Sequence, residues 1–366
     1  MLEISTHGGA IAPAIVMRAL VHAGARPAEP GEFTRRALLN GKIDLIQAEA
    51  LGDLIDAPTS LVHRVALDQL SGALTRRLTA IRESVLELEA LIAYDIDFPE
   101  EDEGPVAPAR ILKAAKHTRE ELDVLLGTLP AARIAREGAV VVLAGLPNTG
   151  KSSLFNALIG EQRAIVTEHA GTTRDAIDAL IEAEPYAFRL VDTAGLRDTD
   201  DAIERLGVEV STRWLRRADM VLVCGPTAES REATVTAIGP TAADVILVQT
   251  MSDRSGRAGE HADVVLSAET GEGIDALLSL LSRRLLARYP MPVDTPVIMR
   301  ARHEAALRTA RAEIDAFIDG WTNQRLPAPV VAVHVRTAVS ALDGLIGAVD
   351  IEDVLSRLFE RFCVGK

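Results

Sequence analysis

Two cysteines, Cys224 and Cys363, are all that 366 residues contain, too few for a disulfide framework and the usage of a reducing compartment. Long apolar runs are missing as well. No stretch approaches the ~18 residues that a spanning helix needs, which argues against a transmembrane protein. The amino terminus, MLEISTHGG, lacks the basic segment followed by an apolar one that marks a secretory signal, so the expected compartment is the cytoplasm. Basic charge is scarce too. Lys and Arg number 39 against 53 Asp and Glu, a net charge of −14, which excludes a whole-surface electrostatic grip on nucleic acid and leaves only a local patch open. Residues 288–366 balance at ten basic and ten acidic groups, the least repulsive surface for RNA. The eight histidines show no metal-ligand spacing, and no zinc site is expected.

What is there is ordinary globular composition, 48% apolar and 25% charged, in a chain long enough for two or three domains. From Leu67 the apolar positions run Leu67, Leu70, Leu74, Leu78, Ile81, Val85, Leu88 and Ile92, steps of three and four that predict one long amphipathic helix. It stops at Asp97-Phe98-Pro99 before an acidic turn, Glu100–Glu103, read as a solvated loop. A second helix is predicted from about Ala109 to Arg136, antiparallel to the first, with Leu122, Leu125, Leu126 and Leu129 as its stripe. At Gly138 the pattern changes to short continuous apolar runs: Ala139–Ala144, Phe188–Val191, Met220–Cys224, Val245–Val248 and Val264–Leu266. Such runs fit strands buried on both faces, and helical segments between them predict an α/β domain with a mainly parallel sheet. Ile177–Glu182 and Ala187–Val191 predict one antiparallel hairpin within it. After Tyr289-Pro290 the helical period returns, ending with Ile351, Val354, Leu355, Leu358 and Phe362 on one face. The α/β block therefore reads as an insertion in an all-α helical domain.

Gly145-Leu146-Pro147-Asn148-Thr149-Gly150-Lys151-Ser152 has the spacing of a phosphate-binding loop, and it lies between a predicted strand and a predicted helix. Glycines let backbone N–H groups turn inward, Lys151 reaches the β and γ oxygens, and the Ser152 hydroxyl ligates Mg²⁺. Residues Thr149 to Ser153 would surround the phosphates, at the positive end of the following helix. Asp192-Thr193-Ala194-Gly195 follows the next apolar run; its aspartate can hold Mg²⁺ through water and its glycine N–H can meet the γ-phosphate. Between the two lies Ala170-Gly171-Thr172-Thr173, a loop whose threonine can complete the Mg²⁺ shell only when the γ-phosphate is present. Order and spacing together predict a GTPase.

GTPases usually present Asn-Lys-x-Asp after the following strand. Here Val245–Val248 leads to Thr250-Met251-Ser252-Asp253. Asp253 can accept from the guanine N1 and N2 donors, while the flanking amide and lysine stem are gone, so guanine preference is expected to survive at weakened affinity. Ser267 and Ala268 begin a loop that would meet the base through its backbone. Leu196, after Gly195, cannot orient an attacking water; Asp198, Asp200, Asp201 and Glu204 are the nearby polar candidates and Arg197 the positive one.

These motifs, with the terminal Phe362-Cys363-Val364-Gly365-Lys366, resemble the tRNA modification GTPase family MnmE (TrmE) over nearly the whole chain. His7-Gly8-Gly9, Pro30–Ala37 and the residues Leu38, Asn40, Lys42, Asp44, Gln47, Ala48, Glu49 and Ala50 match its N-terminal half, and Asp95–Pro99 matches a helical-domain marker. The resemblance implies a remnant of an α+β folate-binding domain (1–41), a helical domain in two parts (42–137 and 288–366) and a GTPase domain at 138–287. The chain begins at Met1-Leu2-Glu3, inside a family segment, so most of the folate-binding and dimer-forming domain is expected to be absent. The resemblance further implies GTP, Mg²⁺ and K⁺ as cofactors, a tetrahydrofolate one-carbon donor, an FAD-containing MnmG-like partner, and a homodimer. The product would be an aminomethyl or carboxymethylaminomethyl group on C5 of the wobble uridine of certain tRNAs. By motif, Asn148, Thr167, His169 and Thr172 would ligate K⁺, Ser152 and Thr173 would hold Mg²⁺, and Glu204 would position the hydrolytic water. Cys363 is either a working thiol near the one-carbon donor, which the resemblance favours, or part of an apolar helix end. Arg300, Arg302, Arg308 and Arg311 are either contacts for tRNA or the partner, or a solvated helix face. A regulatory GTPase of the ribosome-assembly type is the alternative function.

Overall fold

The computed structural model describes residues 2–57, 59–97, 106–161, 177–184, 186–192, 214–255, 261–292, 295–323 and 327–346. Among the described residues, seven helices precede the first strand: α1 (Ile11–His22), α2 (Glu32–Leu39), α3 (Leu45–Ile55), α4 (Ser60–Leu70), α5 (Ala73–Asp97), α6 (Pro108–Leu126) and α7 (Leu129–Glu137). The α/β block follows as β1 (Ala139–Ala144), α8 (Lys151–Glu161), β2 (Ile177–Ala183), β3 (Tyr186–Asp192), β4 (Met220–Gly225), α9 (Ala228–Ile238), β5 (Asp244–Gln249), α10 (Ser252–Ser255), β6 (Val264–Val265) and α11 (Ile274–Arg288). Two long helices come last among the described residues, α12 (Ala301–Asn323) and α13 (Ala328–Ile346).

The stripe that begins at Leu67 belongs to two helices. Gly72, with φ +83, interrupts it between α4 and α5, because only glycine takes that backbone without a Cβ clash. Leu67 is consequently 45% exposed, whereas Leu74, Leu78, Ile81, Val85 and Leu88 are sealed in the core. The second predicted helix also divides, at Gly127-Thr128, into α6 and α7. Local capping explains the starts. Asp44 and Gln47 form a reciprocal capping box on α3, and the Thr59 hydroxyl accepts the Val62 N–H at the start of α4.

Helices α5, α6, α12 and α13 pack as a four-membered bundle in which each touches two others, with Ile92, Ile111, Leu122, Ile314, Phe317, Val335 and Leu342 in one core. Two of the four precede the sheet in sequence and two follow it, so the α/β block is an insertion in the bundle. By length and composition α13 could span a bilayer, at a mean hydropathy of 1.3, contrary to the reading that no such segment exists. In the fold its apolar side lies in the bundle core. Its polar residues pair sideways: His334 with Glu313 at 2.6 Å, Arg336 with Glu89 at 2.9 Å, and Asp343 with Arg82 at 2.5 Å.

The sheet has six strands in the order β2-β3-β1-β4-β5-β6. β2 is antiparallel to β3, the hairpin expected from sequence, and the other pairs are parallel, with Val142 opposite Val191 on one side and Val221 on the other. The chain leaves β1 toward β3 and later crosses to β4, so the crevice at the carboxyl end of β1 is a topological switch point, where ligands bind in such sheets. The opposite end of the sheet is closed by α4 and α7, whose Leu61, Val62, Val65, Ala132 and Ala135 share one core with Val141, Phe188 and Leu222. Both helices fall in the stretch that the sequence assigns to the helical lobe, and the breaks at Gly72 and Gly127 free them to turn onto the sheet. Asp219, 3% exposed, ties this end together: it accepts from Arg133 (2.5 Å), the Val140 N–H (2.9 Å) and the Tyr289 hydroxyl (3.2 Å).

A buried ion cluster joins α3 to the start of α12. Glu49 meets Arg302 at 3.1 Å and the fully buried His303 at 2.8 Å, and Asp53 meets Arg300 at 2.7 Å. Burial opposes ionisation of Glu49, but His303 and then Arg302 outweigh it and hold the carboxyl at about 2. For Asp53 burial prevails and its pKa is raised. Arg300 and Arg302 are therefore neither a solvated face nor free RNA contacts. Further along, Arg308 pairs with Glu304 at 2.8 Å and Arg311 with Asp123 at 3.0 Å.

Candidate nucleotide site

β1 ends in the glycine-rich loop because a six-residue apolar strand, flanked on both sides, can deliver its last carbonyl only to the edge of the sheet. There Gly145 is forced. A Cβ at this position would sit 2.5 Å from the Cys224 carbonyl oxygen and 2.6 Å from Thr149 Oγ1, closer than any real Cβ approaches. Thr149 Oγ1 and Lys151 Nζ both donate to the Leu146 carbonyl, each at 2.8 Å, which folds the loop over itself and holds the lysine head in place. Lys151 is only 6% exposed. Asn148 has φ 60 and Gly150 φ 83, left-handed backbone that asparagine and glycine tolerate best. Successive turns of this kind point N–H groups into the concavity where an anion can be cradled.

β3 brings Asp192 alongside. Its Oδ2 accepts from Ser152 Oγ at 2.9 Å, joining the first turn of α8 to the end of the strand, and Asp192 is 3% exposed. A hydroxyl and a carboxylate side by side are hard oxygen donors of the type Mg²⁺ takes. Cys224, under the loop, is no working thiol: burial pushes it up to about 12.

β5 supplies the second half of the crevice. Thr250, 2% exposed, donates from Oγ1 to the Thr149 carbonyl at 2.7 Å. Asp253, at the start of α10, accepts from Ser267 Oγ at 2.7 Å, and this hydrogen bond, first among its causes, lowers its pKa. Ser267 is itself fixed by its backbone N–H to the Glu272 carbonyl at 2.9 Å. The expected base residues Asp253, Ser267 and Ala268 therefore converge on one loop pair beside the phosphate loop. Sequence reasoning treated Thr250 as a loss. The structure makes it the link between the two loops, and a hydroxyl-bearing residue at that place was the available signal.

Thr167, His169, Thr172, Thr173, Thr193, Ala194, Gly195, Leu196, Arg197, Asp198, Asp200, Asp201 and Glu204 lie outside the described residues, as do the acidic turn Glu100–Glu103, the apolar face from Ile351 to Phe362, and Cys363.

Comparison with known proteins gives this geometry its context. A family model for the MnmE helical domain matches residues 45–363, and one for the GTP-binding protein TrmE N-terminus matches residues 1–42. Proteins named tRNA modification GTPase MnmE from Azoarcus sp. (strain BH72), Aquifex aeolicus (strain VF5) and Acidiphilium cryptum (strain JF-5) are 41%, 38% and 40% identical. Each alignment spans 100% of this chain and 82%, 83% and 82% of those proteins. Among solved structures, the G domain of the T. maritima FeoB iron transporter is 25% identical and covers 41% of this chain and 98% of its own, at a TM-score of 0.31. With a helical-domain match over most of its length and full-length relatives near 40% identity, the chain belongs to the MnmE family of tRNA modification GTPases.

Proposed function

We propose that this chain binds GTP across the carboxyl ends of β1, β3 and β5 and hydrolyses it, as the GTP-consuming component of an enzyme that modifies the wobble uridine of tRNA. The observation that carries this reading is the Ser152–Asp192 pair beside the buried head of Lys151, all at one edge of the sheet. Thr149, Gly150, Lys151, Ser152 and Ser153 surround the phosphates in this reading, and Asp192, Thr193, Ala194 and Gly195 face the γ-phosphate. Asp253, Ser267 and Ala268 meet the guanine. Water attacks the γ-phosphorus, the bond to the bridging oxygen breaks, and GDP and phosphate leave; Glu204 positions that water and Arg197 lends positive charge.

Ser152 and Thr173 would hold Mg²⁺, which would neutralise charge on the β and γ oxygens. Asn148, Thr167, His169 and Thr172 would hold K⁺, which would offset charge on the β–γ bridge. The left-handed backbone of Asn148, with an amide oxygen to offer, suits this assignment. The division of labour follows the chain: a folate-binding segment at 1–41, the helical domain at 42–137 and 288–366 with the FCVGK tail and its Cys363, and the GTPase domain at 138–287. The partners are a second copy, an FAD-containing MnmG-like protein and tRNA, in the cytoplasm, with a tetrahydrofolate one-carbon donor. The product is an aminomethyl or carboxymethylaminomethyl group on C5 of the base.

Mass analysis of wobble nucleosides in a strain lacking this chain tests the reading: loss of the modified uridine is expected, and unchanged nucleosides overturn it. Hydrolysis by the purified chain is expected to run much faster in K⁺ than in Na⁺, and equal rates remove the K⁺ assignment.

A further inference from the structure

A second cleft takes no part in the nucleotide site. It lies between α7, the segment after α11 and the first turns of α12, where the chain enters and leaves the α/β block, and its volume is about 530 Å³. Ala132, Ile298 and Met299, all buried, form its apolar part. The rest is charged against the trend of the chain. Four arginines, Arg133, Arg136, Arg300 and Arg308, face two glutamates, Glu137 and Glu304, in a protein whose net charge is −14.

The arginines are held in different ways. Arg300 is committed to Asp53 at 2.7 Å. Arg133 is fixed by the buried Asp219 at 2.5 Å. Arg136 donates to the Met299 carbonyl at 2.9 Å, a bond that links α7 to the residues just before α12 and sets the direction of its guanidinium. The carboxylate partners of the outer two are weak competitors. Arg136 pairs with the neighbouring Glu137, their side chains 48% and 49% exposed, and Arg308 pairs with Glu304 at 2.8 Å, at 65% and 38%. Exposed pairs of this kind contribute little, so a phosphate can take the place of either carboxylate. A guanidinium carries five donors in a rigid fork that matches phosphate oxygens two at a time.

We propose that this cleft binds the sugar–phosphate backbone of the tRNA substrate, with Arg136 and Arg308 donating to phosphate oxygens and Arg133 adding positive field from its fixed place on Asp219. This rests on reading the chain as one that acts on tRNA. A polyanion approaching so acidic a protein is repelled by the molecule as a whole, and it is met where arginines outnumber carboxylates. Contacts to phosphate fix register and orientation and do not read sequence, so different tRNAs are bound here alike.

The test measures dissociation constants of the full chain for an unmodified tRNA transcript over a range of salt concentrations. Arg136→Gln and Arg308→Gln each weaken binding about three- to tenfold and lower the slope of log affinity against log salt by about 1, the signature of one lost phosphate contact. Glu304→Gln, which removes the competitor for Arg308, tightens binding about two- to threefold. Arg336→Gln deletes one positive charge from an exposed pair with Glu89 on α13, outside the cleft, and stays within about twofold of the unaltered chain. Arg136 and Arg308 stand outside the nucleotide site, so GTP hydrolysis without RNA is unchanged in these variants and reports intact folding. Unchanged constants in Arg136→Gln and Arg308→Gln overturn the cleft as the RNA site. An equal loss in Arg336→Gln does the same, because it reports net charge alone, and weaker binding in Glu304→Gln overturns the role of Arg308. Failure of the unaltered chain to bind tRNA at any salt concentration shows before any substitution is made, and it removes the tRNA reading together with the cleft.

Discussion

The two ends of the nucleotide crevice are built on different rules. At the phosphate end Gly145, Gly150 and Lys151 are dictated by backbone geometry or by a single charged group. Gly145 has no room for a Cβ, Gly150 needs φ 83, and Lys151 is the buried cation. At the base end the contacts are made by side chains that other side chains can imitate. A threonine hydroxyl reaches the Thr149 carbonyl, and a methionine covers Gly150. Recognition of a phosphate leaves few chemical choices because the donors are main-chain N–H groups; recognition of a flat ring and two N–H groups leaves several.

If that contrast is right, the phosphate end should break hardest. Lys151→Ala is expected to lower kcat/KM for GTP by about 10²–10³, the scale of losing one charge-stabilising donor in such a site; steady-state hydrolysis assays check it. A change in the ion cluster between α3 and α12 sets the control. Glu49 has a folded pKa of about 2 against an ordinary 4.5, so its stabilisation is present above about 4.5 and is lost as pH falls towards about 2. At about 1.4 kcal/mol per pKa unit this is on the order of 3 kcal/mol. Glu49→Gln should therefore unfold more easily in urea at neutral pH, with the deficit narrowing through that acid window, while nucleotide affinity stays where it was. The base end should break more gently. Asp253→Ala removes an acceptor for two donors, each worth about 1.5–3 kcal/mol when charge-assisted, partly regained from water, so GDP affinity should fall about ten- to a hundredfold by calorimetry. Because Ser267 lowers the pKa of Asp253, GDP binding should also persist below the usual carboxylate range; substituting Ser267→Ala should move that acid limb upward.

Much of this is legible in the sequence. The strands announced themselves as short runs such as Ala139–Ala144, since a strand sealed on both faces has no polar positions to spare. The phosphate loop was legible for the same reason that it is rigid. The helical stripes were read too generously. Spacing alone continues Leu67 and Leu70 into Leu74 and Leu78, and only the backbone at Gly72 reveals that the chain turns there. Spacing left Arg300 and Arg302 open between RNA or partner contacts and a solvated face; Glu49 and Asp53 meet them across about 250 residues of sequence, a pairing that no local window contains.

Periodicity, turn chemistry and a phosphate-binding pattern were enough to give the fold class and the inserted order of the lobes and to point to the loop after β1, because each is a local consequence of residue type and spacing. Tertiary structure decided the rest: that α4 and α7 close the far end of the sheet, that Asp219 gathers partners from β1, α7 and the segment after α11, and that Thr250 and Met251 reach the phosphate loop. Those outcomes depend on which distant groups meet, and a contact between residues a hundred positions apart leaves no periodic trace in the chain that makes it.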